Sequence, residues 1–153
     1  MELRRITPIM ALVALTMLVA TSCEKITITE GIYGRVKVRY GDWTPPLDGN
    51  NSGERPLTCE VRAYEYFTLD DIGGYRHADY SPEQMPKTLV ASTNSESKGR
   101  YQLSLPPGQY SVVLMDVDMC QITSVDDKGG ICPVTVTADK TTECNLILDC
   151  ALY

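Results

Sequence analysis

The chain has 153 residues, 14 basic against 20 acidic side chains, and a formal net charge of −6. An acidic chain with no basic run lacks the electrostatic footprint of a nucleic-acid binder, and it offers no polybasic cluster to anionic lipid. Nine tyrosines stand against one phenylalanine and one tryptophan, and tyrosine with valine and threonine is strand composition.

The first element in chain order is apolar. Arg4 and Arg5 precede an uncharged block from Ile9 to Ala20, followed by Thr21, Ser22 and Cys23. A positive start, a short apolar middle and a run of small residues is the layout of a secretory signal. The block is about 12 residues long, short of the roughly 20 that span a bilayer as a helix. Ala20-Thr21-Ser22-Cys23 resembles the lipobox of bacterial lipoproteins, in which the cysteine is acylated and becomes the new first residue. Ala20 stands where the lipobox usually has leucine. The resemblance implies that residues 1–22 are a signal peptide that is removed, that Cys23 carries the lipid, and that the protein is held at the bacterial cell envelope, at the outer membrane. Two or more acyl chains hold a protein stably where one holds it marginally. Arg4, Arg5 and Glu2 leave with the signal, so the mature chain carries 12 basic against 19 acidic residues, or −7.

Residues 23–30 read as a short tether, and residues 31–153 as one domain. In GIYGRVKVRY, residues 31–40, Val36 and Val38 alternate with Arg35, Lys37 and Arg39, a period of two with one wet face. Residues 41–56, rich in Gly, Pro, Asn and Asp, predict a long loop. Alternation returns in LTCEVRAYEY, residues 57–66, with Leu57, Cys59, Val61 and Ala63 on one face. Residues 68–86 are irregular, and KTLVAST, residues 87–93, reads as a strand. Tyr101, Leu103 and Leu105 alternate before Pro106-Pro107-Gly108, and Tyr110, Val112 and Leu114 alternate after it, which predicts a β-hairpin. Continuing that alternation would bury Asp116 and Asp118 unpaired, so the strand must end, or bulge near Met115 and turn Val117 and Met119 inward. CPVTVTA (residues 132–138) and ECNLILDC (residues 143–150) predict the last two strands. Seven or so short strands with no sustained helical period specify an all-β, antiparallel, Ig-like sandwich.

Gly34-Arg35-Val36, then Ser95-Glu96-Ser97-Lys98-Gly99-Arg100-Tyr101, then Leu105-Pro106-Pro107-Gly108-Gln109-Tyr110-Ser111-Val112 resemble the signature of carboxypeptidase regulatory-like domains, which have a transthyretin-like (prealbumin-like) β-sandwich. Ser95 and Glu96 replace the Thr-Asp of that signature. The resemblance spans residues 31–148. The same hairpin recurs in other transthyretin-like sandwiches, including anchor and accessory subunits of bacterial fimbriae. It implies a non-catalytic module for adhesion, assembly or presentation at the cell surface.

The cysteines are residues 23, 59, 120, 132, 144 and 150. Cys120 and Cys132 flank one connection and are a candidate disulfide; Cys59 with Cys144 or Cys150 is another possibility. Without a Cys-x-x-Cys, and with His77 as the single histidine, no structural zinc site is expected. DDIGG (residues 70–74) and DDKGG (residues 126–130) supply too few carboxylates for calcium and read as solvent-facing turns. Trp43, Tyr64, Tyr66, Tyr75, His77 and Tyr80, in or beside the long loops 41–56 and 68–86, are a candidate binding surface suited to a protein or a sugar ring. No nucleophile–base motif or phosphate-binding glycine loop occurs, so neither catalysis nor a cofactor is expected. The chain therefore reads as a lipid-anchored binding or assembly module of the envelope, with a fibre subunit or a carbohydrate-binding module as alternatives. Replacing the lipidation site, Cys23→Ala, is expected to move the protein from the membrane to the soluble fraction. Fractionation, together with the intact mass of the wild type, checks this.

Overall fold

The computed structural model describes residues 25–41, 52–74 and 80–151. Ten strands follow in chain order: β1 (Gly31–Tyr40), β2 (Gly53–Pro56), β3 (Glu60–Glu65), β4 (Leu89–Asn94), β5 (Arg100–Leu103), β6 (Gly108–Asp116), β7 (Met119–Gln121), β8 (Pro133–Val136), β9 (Thr141–Glu143) and β10 (Leu146–Asp149). They form two five-stranded sheets, and the protein is an all-β sandwich.

In the first sheet β1 is the common partner. Its first half pairs antiparallel with β5 and parallel with β9. Its second half pairs antiparallel with β2 and parallel with β10. The change of partner falls at Val36, whose N–H donates to Gly99 O at 2.7 Å while its carbonyl accepts from Leu57 N at 3.0 Å. A side chain at Gly99 has no room, because its Cβ would lie 2.2 Å from Val36 O, and the residue sits at φ +74°. The glycine of the Ser-Glu-Ser-Lys-Gly motif is thus required by close approach and by backbone conformation together. The second sheet runs β4-β3-β6, with β7 and β8 both on the far side of β6.

The main core lies between the sheets. Ile32, Val36, Val38, Leu103, Leu146 and Leu148 from the first meet Val61, Ala63, Val112, Leu114, Val134 and Val136 from the second. Val36, Val38, Val61, Ala63, Leu103, Val112 and Leu114 are inward positions that the period-two pattern marked. Each full burial of a Val, Leu or Ile stabilises by roughly 1.5–3 kcal/mol.

Three local features differ from expectation. Residues 53–56, expected within a loop, form β2. This edge strand exposes most of its side chains, so it has no apolar alternation to read; Glu54 pairs with Arg39 at 2.8 Å and Lys37 at 3.3 Å instead. The expected last strand is two, β9 and β10, broken where the Asn145 side-chain oxygen accepts from Arg35 N at 2.9 Å in place of a backbone partner. Both run parallel to β1 rather than antiparallel. β6 runs two residues past Leu114 and ends at Asp116: Val117 and Asp118 form the turn into β7, with φ of +45° and +65°. Val117 is 86% exposed rather than inward, and the two positive φ values match the hairpin turns that follow strand twist.

The motif tyrosines act as hydrogen-bond donors to loops. Tyr101 Oη donates to Cys144 O at 2.5 Å and Tyr110 Oη to Pro106 O at 2.8 Å. Burial drives the Tyr101 pKa far up, with Cys144 adding to the shift. The Tyr101 pKa is about 10 when unfolded and higher when folded. Its contribution to stability is therefore complete below pH ~10 and falls as the pH rises above it, where only the unfolded state ionises. Cys59, pushed by burial to about 11, adds an alkaline slope to any variant that keeps it. Tyr101→Phe is expected to cost about 1–3 kcal/mol at pH 7, because it leaves the Cys144 carbonyl without its donor, and to shrink that deficit above pH ~10. Denaturant titrations of both proteins from pH 7 to 11 check the difference.

Candidate functional site

The outer face of the second sheet does not meet solvent. In β6, Tyr110, Val112 and Leu114 point into the main core while Ser111 and Val113 are equally buried on the other side. A second cluster covers that side: Tyr64, Phe67, Tyr80, Val113, Cys120 and Ile131, with Leu69, Ile72, Met85 and Val125 packed against it. The long segment after β3 and the segment between β7 and β8 supply this cover. Ser111 Oγ fastens it, accepting from Phe67 N at 3.0 Å and donating to Phe67 O at 3.0 Å.

This cover decides the fate of the expected aromatic surface. Tyr64 is 3% exposed and Tyr80 6%; Tyr64 meets Phe67 edge-to-face, with ring centroids 6.2 Å apart. Both are core residues and not a platform for a ligand. Tyr66 is half-buried, its hydroxyl close against Gly130. Trp43, Tyr75 and His77, and the lipidation residue Cys23, lie outside the described residues. The signal that marks this cover is the unbroken apolar run Val112-Val113-Leu114-Met115, since a strand buried on both faces loses its alternation.

The expected pair Cys120 and Cys132 is not brought together. Cys120 lies opposite Met115 in the outer cluster, its sulfur 3.2 Å from the Met115 sulfur, whereas Cys132 belongs to the main core. The second sheet stands between them. The five described cysteines are all thiols. The two acidic turns meet each other, with Leu69 N donating to Gly129 O at 2.7 Å. Their carboxylates cap their own turns: Asp71 Oδ2 accepts from Thr68 N and Asp126 Oδ1 from Gly130 N, both at 2.7 Å.

Two surfaces among the described residues are open and shaped. One is a polar cleft of about 460 Å³ on the outer face of the first sheet, lined by Tyr33, Arg35, Arg100, Gln102, Glu143 and Asn145 among others. Gln102 builds one wall by holding the residues before β1: its Oε1 accepts from Thr27 N at 2.7 Å and its Nε2 donates to Lys25 O at 3.2 Å. Arg100 is paired with Glu96 at 3.0 Å, and Asn145 Nδ2 donates to Glu143 at 2.8 Å. Its lining is mostly charged and hydrogen-bonding side chains. Polar outward residues on β1 and β5 were visible in the sequence; their assembly with residues 143 and 145 required the fold.

The other surface is the edge formed by β4, which ends the second sheet. Ser95 N donates to Cys59 O at 2.9 Å and Glu65 N to Thr88 O at 3.0 Å. That register turns Ala91 and Thr93 toward β3 and leaves the N–H and C=O of Ser92 and Asn94 on the open side. Leu89 and Val90 are 42% and 38% exposed. The strand LVASTN has neither proline nor charge to blunt it; a register shift opposite Ala63 and Tyr64 leaves Val90 as an extra residue in the ladder.

No family model matches the chain, and no curated protein does. Among solved structures, the chain is similar to the Bacillus anthracis TIE protein at 14% identity and a TM-score of 0.33, over 79% of this chain and 17% of that one.

The fastening role of Ser111 is testable. Ser111→Ala leaves the buried Phe67 N–H without an acceptor and is expected to cost about 1–3 kcal/mol. Amide exchange should quicken at Phe67 and Ile131 while β1 stays protected.

Proposed function

We propose that the protein is a non-catalytic module of the bacterial envelope, anchored by lipid at Cys23 and built on a carboxypeptidase regulatory-like, transthyretin-like sandwich, whose task is to bind or assemble with another envelope protein. The observation that carries this reading is the β4 edge. It presents unpaired backbone groups at Ser92 and Asn94 beside exposed Leu89 and Val90. An extended partner strand would complete the ladder through backbone hydrogen bonds and set its apolar side chains against Leu89 and Val90, the mode of strand addition. The expectation that the long loops form the working surface gives way to this edge, because the described parts of residues 68–86 cover the second cluster. Fibre assembly is a special case of the same contact, in which the partner is another subunit. A glycan-binding role retains less support, since Tyr64 and Tyr80 are buried; it would fall to the polar cleft beside Tyr33.

Ser92→Pro removes the one N–H at the middle of the open edge while keeping the bonds that neighbouring residues make to β3, a substitution that edge strands tolerate. Ser92→Ala, which removes the same hydroxyl but keeps the N–H, is the control. Cross-linking in intact envelope is expected to show partner adducts for the wild type and Ser92→Ala, reduced about tenfold (roughly 1.4 kcal/mol) for Ser92→Pro with Tm nearly unchanged. Equal adduct yields from all three proteins would exclude the β4 edge as the contact.

A further inference from the structure

Two thiols from different sheets meet in the main core. Cys132 enters β8 of the second sheet, its N–H donating to Ser124 O at 2.9 Å and its carbonyl accepting from Val112 N at 3.3 Å. Cys144 occupies the break between β9 and β10 of the first sheet; its N–H donates to Tyr33 O at 2.8 Å and its carbonyl accepts from Tyr101 Oη. Each backbone is therefore pinned to its own sheet. Both residues are buried in the same cluster, where each thiol lies close enough to shift the titration of the other. Cys132 holds a φ of +33°, a region that residues other than glycine, asparagine and aspartate seldom adopt, and its side chain meets Cys144 from that backbone position.

We propose that Cys132 and Cys144 are a cross-linking site, oxidised to a disulfide that joins the two sheets across the core. The oxidant is a disulfide, either of a thiol–disulfide oxidoreductase or of a small thiol such as glutathione. The Cys132 thiolate attacks one sulfur of that disulfide, forming a mixed disulfide and releasing the first thiol. The Cys144 thiolate then attacks the Cys132 sulfur and releases the second thiol, so the oxidant is reduced by two electrons and takes up the two protons. Hydrogen bonding from Cys144, with help from Ser124 and Thr123, lowers the Cys132 thiol, while the same contact and burial raise Cys144. Since both sulfurs are buried in the folded sandwich, the exchange takes place while the sheets are closing. Cys59 at the rim of the core, Cys120 in the outer cluster and the exposed Cys150 stay outside the bond. The chemistry depends on the fold and an oxidant; only the oxidising compartment follows from the export reading, so a test in vitro separates the two.

The full chain carrying Cys150→Ser is unfolded in guanidinium, refolded in reduced and oxidised glutathione, alkylated, and digested with trypsin. Cleavage after Lys128 and Lys140 isolates Cys132 on residues 129–140 and leaves Cys144 as the one cysteine from residue 141 onward. The expected product is a cross-link between those two peptides, two hydrogens lighter than the pair and released by reductant. Reduction is expected to lower Tm by roughly 10 °C, and the Cys132→Ala/Cys144→Ala double variant should show no reductant-dependent change. Finding both cysteines alkylated after refolding, or Cys132 joined to Cys59 or Cys120, overturns the proposal. The peptide map decides the matter even if the double variant fails to fold.

Discussion

The whole first sheet hangs on one ten-residue strand. β2, β5, β9 and β10 each hydrogen bond to β1 and to no other strand of that sheet. Four short strands share one long one only if the partners change along its length, and they do so on both sides near Val36. On one side Gly99 lets the backbone of the Glu96 turn come up to Val36 O. On the other, a Cβ at Gly34 would lie 2.0 Å from Cys144 O, so a glycine there allows the β9–β10 break to sit close. The motif glycines are consequences of that crowding, and the motif tyrosines satisfy carbonyls that the breaks leave without strand partners.

The second sheet has the opposite problem. Its central strand β6 is apolar on both faces, and a sandwich supplies cover for one. The remaining face would be an exposed patch of Tyr64, Val113, Met115 and Cys120 if nothing crossed it. Two connecting segments do cross it, and they bring Phe67, Tyr80 and Ile131 as a second, smaller core. Phe67 and Tyr80, part of an aromatic density that in isolation suggests a recognition surface, serve this cover instead. Ser111 is the buried polar residue of β6, and its hydroxyl is used twice on the Phe67 backbone.

What is left open is therefore informative. Lys37 and Arg39 of β1 are tied to β2 and β10, with Arg39 reaching Glu54 at 2.8 Å and Asp149 at 3.3 Å and Lys37 reaching Glu54 at 3.3 Å. Such exposed pairs contribute little to stability, but they occupy the flank of the first sheet. Among the described residues the β4 flank has no ion pair along LVASTN, and its backbone has hydrogen bonds to give.

The strand content, the hairpin around Pro106-Pro107-Gly108 and the inward residues of β1, β3, β5 and β6 were legible in the sequence, because each of those strands buries one face and the period of two records it. β2 and β7 were not, since short strands with mixed burial leave no such record. Nor was the choice of Cys144 over Cys120 as the neighbour of Cys132: alternation tells which face of its own strand a residue occupies, not which distant element packs there. The burial of Tyr64 and Tyr80, the parallel placement of β9 and β10, and the free edge of β4 were likewise decided by tertiary structure alone, for each depends on the meeting of segments far apart in the chain.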